Sequence, residues 1–287
     1  MVGAAKSGTT SLYYYLRQHS GIFLPVAKEC WYFAFADSGP PEDPLFTRVP
    51  LITNLPDYAA QFEDAARGQL VGECSTAYLH LWRQTIRNIQ AAYTHRPLPK
   101  ILIMLRNPIE RAYSHYVFDR QEGVTTGSFE EAIEVCLSGG ASPFNNYLTY
   151  GLYADQVKGF LEAFPHVAVR TANELRQDPA AVVRGLLEFV GADPSEPIDT
   201  SFRANISGLP RRQWLVSLVV GDNPLKRALK PLLGDTARQK LRTLALRRSV
   251  QKEPMSDEAR ATLREYYAQD VERLGRMLGR DFRAWLD

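Results

Sequence analysis

Long apolar runs are missing from this 287-residue chain; none reaches the roughly 18 residues a membrane helix needs, which excludes a helical membrane span. Cysteine is scarce. Cys30, Cys74 and Cys136 show no metal-ligand spacing, and an odd number leaves one thiol outside any disulfide scheme. That usage fits a reducing, cytoplasmic compartment, and no bound metal is expected. Charge of one sign is equally scarce: 34 Lys and Arg against 32 Asp and Glu give a formal net charge of +2, too small for nucleic acid to be the main partner. No internal repeat with a period of about 20–50 residues is present. No leader is expected either, because a glycine-rich loop starts at the third residue. What remains is ordinary globular composition, 45% hydrophobic and 23% charged, with no break that divides the chain. A single domain over 1–287 is the expectation.

The stretch Val2-Gly-Ala-Ala-Lys-Ser-Gly-Thr-Thr-Ser-Leu12 organises the rest. Gly3, four residues, then Gly8 outlines a phosphate-binding loop, whose nucleoside-triphosphatase form is G-x-x-x-x-G-K-[ST]. Here Thr9 occupies the lysine slot and the lysine lies inside the loop as Lys6. Glycines let the backbone turn tightly, so that successive N–H groups surround an anion. A helix over 11–18 would aim its positive end at the same group. The pattern therefore binds a 5′-phosphate-like group, but differently from a magnesium–triphosphate site. Only Met1 and Val2 precede Gly3, so the first strand is expected to be short and frayed.

Beyond the loop, strands alternate with helices. Helices are expected over 57–67, 82–95 and 150–164, and from Asn107-Pro108 onward, where proline suits a first turn. Ser128 with Glu131 forms a capping-box pattern opening the helix to Leu137, and Asp178-Pro179 opens another ending near Gly191. Gln69–Cys74 reads as a short buried strand, Lys100–Leu105 as the clearest strand, and His166–Arg170 as a further one. The fold class is α/β: a doubly wound parallel sheet with helices on both faces and a helical C-terminal region, its ligand at the carboxyl ends of the strands.

Three segments together resemble the sulfotransferases that use 3′-phosphoadenosine 5′-phosphosulfate (PAPS), in particular the bacterial and heparan-sulfate-type branch. They are Gly3-Ala-Ala-Lys-Ser-Gly-Thr-Thr-Ser11, Lys28-Glu-Cys-Trp-Tyr-Phe33 and Leu105-Arg-Asn-Pro-Ile-Glu-Arg-Ala-Tyr-Ser-His-Tyr116. The resemblance implies PAPS as donor, a hydroxyl or amine on a small molecule or glycan as acceptor, and roles for particular residues. Lys6 and the backbone of Ser7, Gly8, Thr9 and Thr10 would hold the 5′-phosphosulfate. A lysine there stabilises the charge that grows on the bridging oxygen as sulfur is displaced in line. Arg106 and Ser114 would hold the 3′-phosphate, as suits a guanidinium and a hydroxyl. Glu29 would be the catalytic base, its proton affinity raised by neighbouring aromatic rings, with Lys28 opposing that shift or contacting the sulfo group. Arg211 in a late loop is a further candidate for the 3′-phosphate.

The chain departs from the family at Cys74, where relatives often place a lysine; Cys74 reads as a buried apolar residue, with Ser75 and Glu73 lining the site. Arg111 reads as a residue of a surface or intrachain ion pair. His115 and His80 are alternative bases, since another branch of the family uses histidine. A small-molecule kinase using ATP and a non-catalytic nucleotide-binding module are the competing functions. The absence of a Walker-B acid on an apolar strand disfavours the first.

Overall fold

The computed structural model describes residues 1–36, 38, 51–142, 146–201 and 254–287, and the backbone of 209–210 and 250–251. After the loop come α1 (Thr9–Leu16), β1 (Ile22–Phe23), α2 (Tyr32–Phe35), α3 (Leu55–Ala60), β2 (Leu70–Val71), α4 (Ala77–His80) and α5 (Trp82–Ala92). Then follow β3 (Ile101–Leu105), α6 (Pro108–Gln121), α7 (Phe129–Leu137), α8 (Tyr153–Ala163), β4 (Val167–Thr171), α9 (Ala172–Gln177) and α10 (Pro179–Val190). Leu209–Pro210 (β5) pairs antiparallel with Val250–Gln251 (β6), and Asp257–Leu278 forms α11.

All five residues of β3 are buried, because both of its faces are covered. Ile101, Ile103 and Leu105 join the cluster that includes Ile86 of α5, Ile109 of α6, Phe160 of α8 and Leu263 of α11. Leu102 and Met104 point the other way, against Leu12 of α1 and Leu186 of α10. The two-residue period of a strand thus divides one apolar run between two cores.

On one side β3 pairs in parallel with β4, from Ile101 opposite Val167 to Leu105 opposite Thr171. On its other side lie the N-terminal residues: Val2 N donates to Leu102 O at 3.0 Å and Ala4 N to Met104 O at 2.6 Å. Past them runs the continuation of β2, with Ser75 N donating to Met1 O at 3.1 Å. β2 pairs in parallel with β1. The order across the sheet is therefore β1, β2 with its continuation, the N-terminal residues, β3, β4. Helices cover both faces, as a doubly wound α/β arrangement requires.

The first strand is short, as expected, and is held by three backbone bonds to β3 and one from Ser75 N. The capping signals are also realised. Ser128 and Glu131 close a capping box on α7, and Asp178 caps α10, which ends on Gly191 at φ 89°. Two expectations shift. The helix expected over 57–67 ends at Ala60; α3 has no buried residue, so packing does not sustain further turns. The strand expected to be buried over 69–74 exposes Leu70 and Val71, with burial beginning only at Cys74, beside Met1.

The C-terminal helix fastens the centre of the molecule. Asp270 of α11 accepts hydrogen bonds from Tyr153 N at 2.7 Å and Ala154 N at 3.2 Å, closing the start of α8, which no residue of its own side-chain caps. Tyr267 donates to Leu148 O at 2.9 Å, and Asn107 Nδ2 donates to Trp285 O at 2.8 Å.

Candidate active site

The carboxyl ends of three neighbouring strand segments converge on one edge of the sheet. The N-terminal segment leads into the loop, β3 ends before Arg106, and the continuation of β2 ends at Ser75-Thr76. Lys6 (φ 65°) and Gly8 (φ 86°) both lie in the left-handed region, which glycine enters freely and lysine only under strain. A Cβ at Gly8 would also stand 3.1 Å from Leu175 Cδ2. Gly3 is constrained more tightly, since a Cβ there would fall 2.5 Å from Leu79 Cβ and 3.0 Å from Thr76 O. Gly8 precedes α1 with no side-chain capping bond. Ser7 is fully buried, and its Oγ has no hydrogen-bond partner among the described residues. An unpartnered buried hydroxyl beneath a tight, glycine-shaped turn fits a bound oxyanion.

Lys6 extends from this loop to α6, its Nζ lying 3.9 Å from the centroid of the Phe118 ring. Burial lowers its pKa to about 8; Asp119 opposes the shift, while Arg106 and Arg111 add to it. Arg106 donates from Nη1 to Lys6 O at 3.2 Å, so the arginine at the end of β3 braces the loop directly. Its other terminal nitrogen lies 3.6 Å from Glu110. Burial pulls the Arg106 guanidinium below its usual range, and Glu110 pushes it back. Ser114 is buried in α6. Spacings of three and four residues put Arg111, Ser114 and Phe118 on one face of α6, the face that meets Lys6. Lys6 and Arg106, far apart in sequence, therefore meet at one loop, and Ser114 lies on the face of α6 that Lys6 reaches.

Glu29 (φ 68°) and Trp31 (φ 61°) also adopt left-handed backbone, on either side of Cys30. The Glu29 backbone N–H donates to Cys74 O at 2.9 Å. Its carboxylate accepts from Thr76 N at 2.6 Å and from Thr76 Oγ1 at 3.1 Å, and pairs with Lys28 Nζ. Thr76 is the residue whose carbonyl crowds Gly3, so Glu29 sits one residue's breadth from the loop. Its immediate partners are a hydroxyl, a backbone amide and an ammonium. The aromatic rings of the segment stack among themselves instead, Trp31 on Phe35 and Tyr32 on Tyr58.

Glu73 stands behind Glu29's partners. Its carboxylate accepts from Ser75 Oγ at 2.5 Å, Tyr78 OH at 2.8 Å and Tyr58 OH at 3.0 Å. Burial raises its pKa, and those hydroxyls counter the rise. Cys74 is buried, as expected of a small apolar residue, and all three cysteines are free. Arg211 lies outside the described residues.

Arg111 departs from expectation. It is fully buried, donates to Tyr147 O, and lies 3.3 Å from His115 Nδ1. A neutral backbone acceptor replaces the expected carboxylate because Tyr147 folds back over α6. His115 lies in the same cluster, where burial and then Arg111 push its pKa well below 6.5. His80 stacks on Tyr150, with ring centroids 3.8 Å apart. Asp119 escaped notice in the sequence altogether. It is 5% exposed, accepts from Tyr147 OH at 2.9 Å, and burial raises its pKa to about 6. Only its position one turn past Ser114, beside the loop-facing Phe118, could have marked it.

A glycine-shaped strand–loop–helix turn at the carboxyl edge of a doubly wound sheet lies where open α/β folds take their ligands, and its buried hydroxyl and helix start suit an anion. The comparisons make that reading specific. Residues 1–207 match the sulfotransferase domain, and the chain belongs to that family. A solved relative, the sulfotransferase from Alicyclobacillus acidocaldarius, superimposes with a TM-score of 0.73 at 28% identity, covering 100% of this chain and 97% of its own. The Drosophila melanogaster bifunctional heparan sulfate N-deacetylase/N-sulfotransferase is 26% identical over 220 residues, 68% of this chain and 19% of that protein. Human heparan sulfate glucosamine 3-O-sulfotransferase 6 is 26% identical over 196 residues, 67% of this chain and 51% of that protein. The chain thus aligns with about half or less of these two curated relatives' lengths. Among the described residues, no helix is long and apolar enough to cross a membrane.

Proposed function

We propose that this sulfotransferase moves a sulfuryl group from PAPS to a hydroxyl or amine, with Glu29 as base, and that residues 1–287 act as one domain. The observation that carries the reading is the meeting of Lys6 and Arg106 at one glycine-shaped loop, with the Glu29 carboxylate one residue away across Thr76. The donor, when bound, supplies the sulfuryl group and a nucleoside bisphosphate leaving group. Lys6 binds at the leaving oxygen, where a cation favours the transition state over the ground state. The backbone of Ser7, Gly8, Thr9 and Thr10 orients the 5′ end, and Arg106 and Ser114 hold the 3′-phosphate. Glu29 takes the acceptor proton, while Thr76 and Lys28 fix its carboxylate in place.

His115 is the weaker choice of base: burial and then Arg111 hold its pKa low, so the imidazole is neutral and only weakly basic. Charge neutralisation is assigned to Lys6, Arg106 and the start of α1. Relatives named for heparan sulfate support a glycan or small-molecule acceptor, and three free thiols support a reducing, cytoplasmic setting.

The test is binding followed by turnover. Adenosine 3′,5′-bisphosphate should bind in preference to ATP; magnesium-dependent preference for ATP would overturn the donor assignment. With an aliphatic hydroxyl or amine acceptor found by screening with labelled PAPS, Glu29→Gln should lose about 10²–10⁴-fold in turnover at unchanged donor affinity. Near-normal turnover would reject Glu29 as base and turn attention to His115 and His80.

A further inference from the structure

Glu73 and Ser75, two residues apart on the continuation of β2, turn their side chains to the same side, and Ser75 Oγ donates to Glu73 Oε1 at 2.5 Å. Tyr78 of α4 donates its hydroxyl to the same oxygen at 2.8 Å, and Tyr58 of α3 donates to Oε2 at 3.0 Å. A carboxylate accepts and does not donate, so each hydroxyl commits its one hydrogen to Glu73. The lone pairs left on two of them face the segment that carries Glu29. Ser75 Oγ accepts from Trp31 N at 3.0 Å, and Tyr78 OH accepts from Phe33 N at 3.1 Å. The backbone between takes Glu29 itself: Cys74 O accepts from Glu29 N at 2.9 Å, and Thr76 N donates to the Glu29 carboxylate at 2.6 Å. The turn is thus pinned at residues 29, 31 and 33. Glu29 and Trp31 both have left-handed backbone, which a residue with a side chain keeps only where its surroundings hold it.

We propose that Glu73 is a positioning residue for Glu29: through the Ser75 and Tyr78 hydroxyls it presents the acceptors that hold this strained turn, and so keeps the Glu29 carboxylate against Thr76 at the edge of the loop. This role rests on the reading of Glu29 as base. Without the Glu73 oxygens, either hydroxyl is free to swing its hydrogen toward the amide it now accepts from, and two donors then face each other. Glu73→Met removes both oxygens at similar length. Glu73→Gln keeps one, which can stand in for Oε1 with the amide nitrogen turned to Tyr58.

Hydrogen–deuterium exchange of the ligand-free protein, read by mass spectrometry on a peptide spanning 29–36, measures the hold on the turn without any turnover. Glu73→Met should speed exchange there by about tenfold or more, and Glu73→Gln by less. Unchanged exchange in Glu73→Met overturns the proposal. If that variant does not fold, Tyr78→Phe decides: it removes one bridge and should speed exchange in the same peptide, and unchanged exchange there overturns the proposal equally. The second arm is turnover with saturating PAPS and the aliphatic acceptor. Glu73→Met should lower kcat by about 10–10²-fold at unchanged donor affinity, with Glu73→Gln recovering part of the loss. In a Glu29→Gln background the same Glu73→Met change should lower the rate no further, because the group it positions is already gone. An undiminished loss in that background would give Glu73 a role apart from Glu29 and overturn the proposal. Near-normal turnover by Glu29→Gln alone would instead overturn the reading of Glu29 as base, while faster exchange over 29–36 in Glu73→Met would still establish the hold of Glu73 on the turn.

Discussion

Replacing Lys6 by methionine should make the ligand-free protein more stable while weakening bisphosphate binding and lowering turnover further still. In the folded chain the Lys6 pKa is lowered from 10.5 to about 8, chiefly by burial. A depressed lysine binds fewer protons folded than unfolded between those values, so its charge opposes folding at neutral pH and the opposition fades as pH rises from about 8 to 10.5. The shift corresponds to about 3 kcal/mol at 1.36 kcal/mol per unit. Water reaching the half-buried side chain reduces this to about 1–2 kcal/mol. Methionine keeps much of the aliphatic reach over Phe118 without the charge. Urea denaturation of wild type and variant at pH 7 and at pH 10 gives the difference, in which the other titrating groups largely cancel. The variant should be more stable by about 1–2 kcal/mol at pH 7, with most of the difference gone at pH 10. Adenosine 3′,5′-bisphosphate should narrow or reverse the difference, because it stabilises the tighter-binding wild type more. A variant less stable than wild type at pH 7, or a difference indifferent to pH, would refute the reasoning.

Arg106→Ala should weaken bisphosphate binding by about 1.5–3 kcal/mol, roughly 10–150-fold, and Ser114→Ala by less. Both should erase the preference over the analogue lacking a 3′-phosphate; calorimetry with the two ligands checks this, and a retained preference would move the 3′-phosphate elsewhere. Gly3→Ala should destabilise the fold by about 2 kcal/mol or more in denaturant titrations, since its Cβ would overlap Leu79 and press on the Thr76 carbonyl. A neutral result would mean that α4 yields freely at that point.

The parts legible in the sequence were those whose cause is local. Ile101–Leu105 stood out because a strand covered on both faces needs no polar alternation, and the caps at Ser128 and Asp178 because their partners lie within three residues. Lys6 and Arg106 were legible because strand ends collect ligands in this fold, and the structure joins them by a single hydrogen bond. What stayed hidden depends on distant chain. Arg111 is buried against a carbonyl 36 residues away, and nothing near it in sequence distinguishes that from a surface ion pair. Phe118 and Asp119 stayed hidden for a related reason: α6 is covered on several sides and has little periodicity to show which side is inward. The N-terminal strand falls between these cases: the loop after it implied a short, frayed strand, and the structure pairs it on both sides.

The clasp made by Asp270 has a consequence for how the protein is made. The start of α8 and the carboxylate that closes it are separated by 117 residues. At translation rates of about 5–20 residues per second, roughly 6–23 s pass between their synthesis. Through that interval the ribosome-bound chain already carries the phosphate loop and β3 and gains β4 on the way, but Tyr153 and Ala154 lack their acceptor and the apolar side of α8 lacks α11. Joining the two also requires closure of a long loop, which slows folding further. The order of synthesis thus leaves the start of α8 to be closed by one of the last elements made.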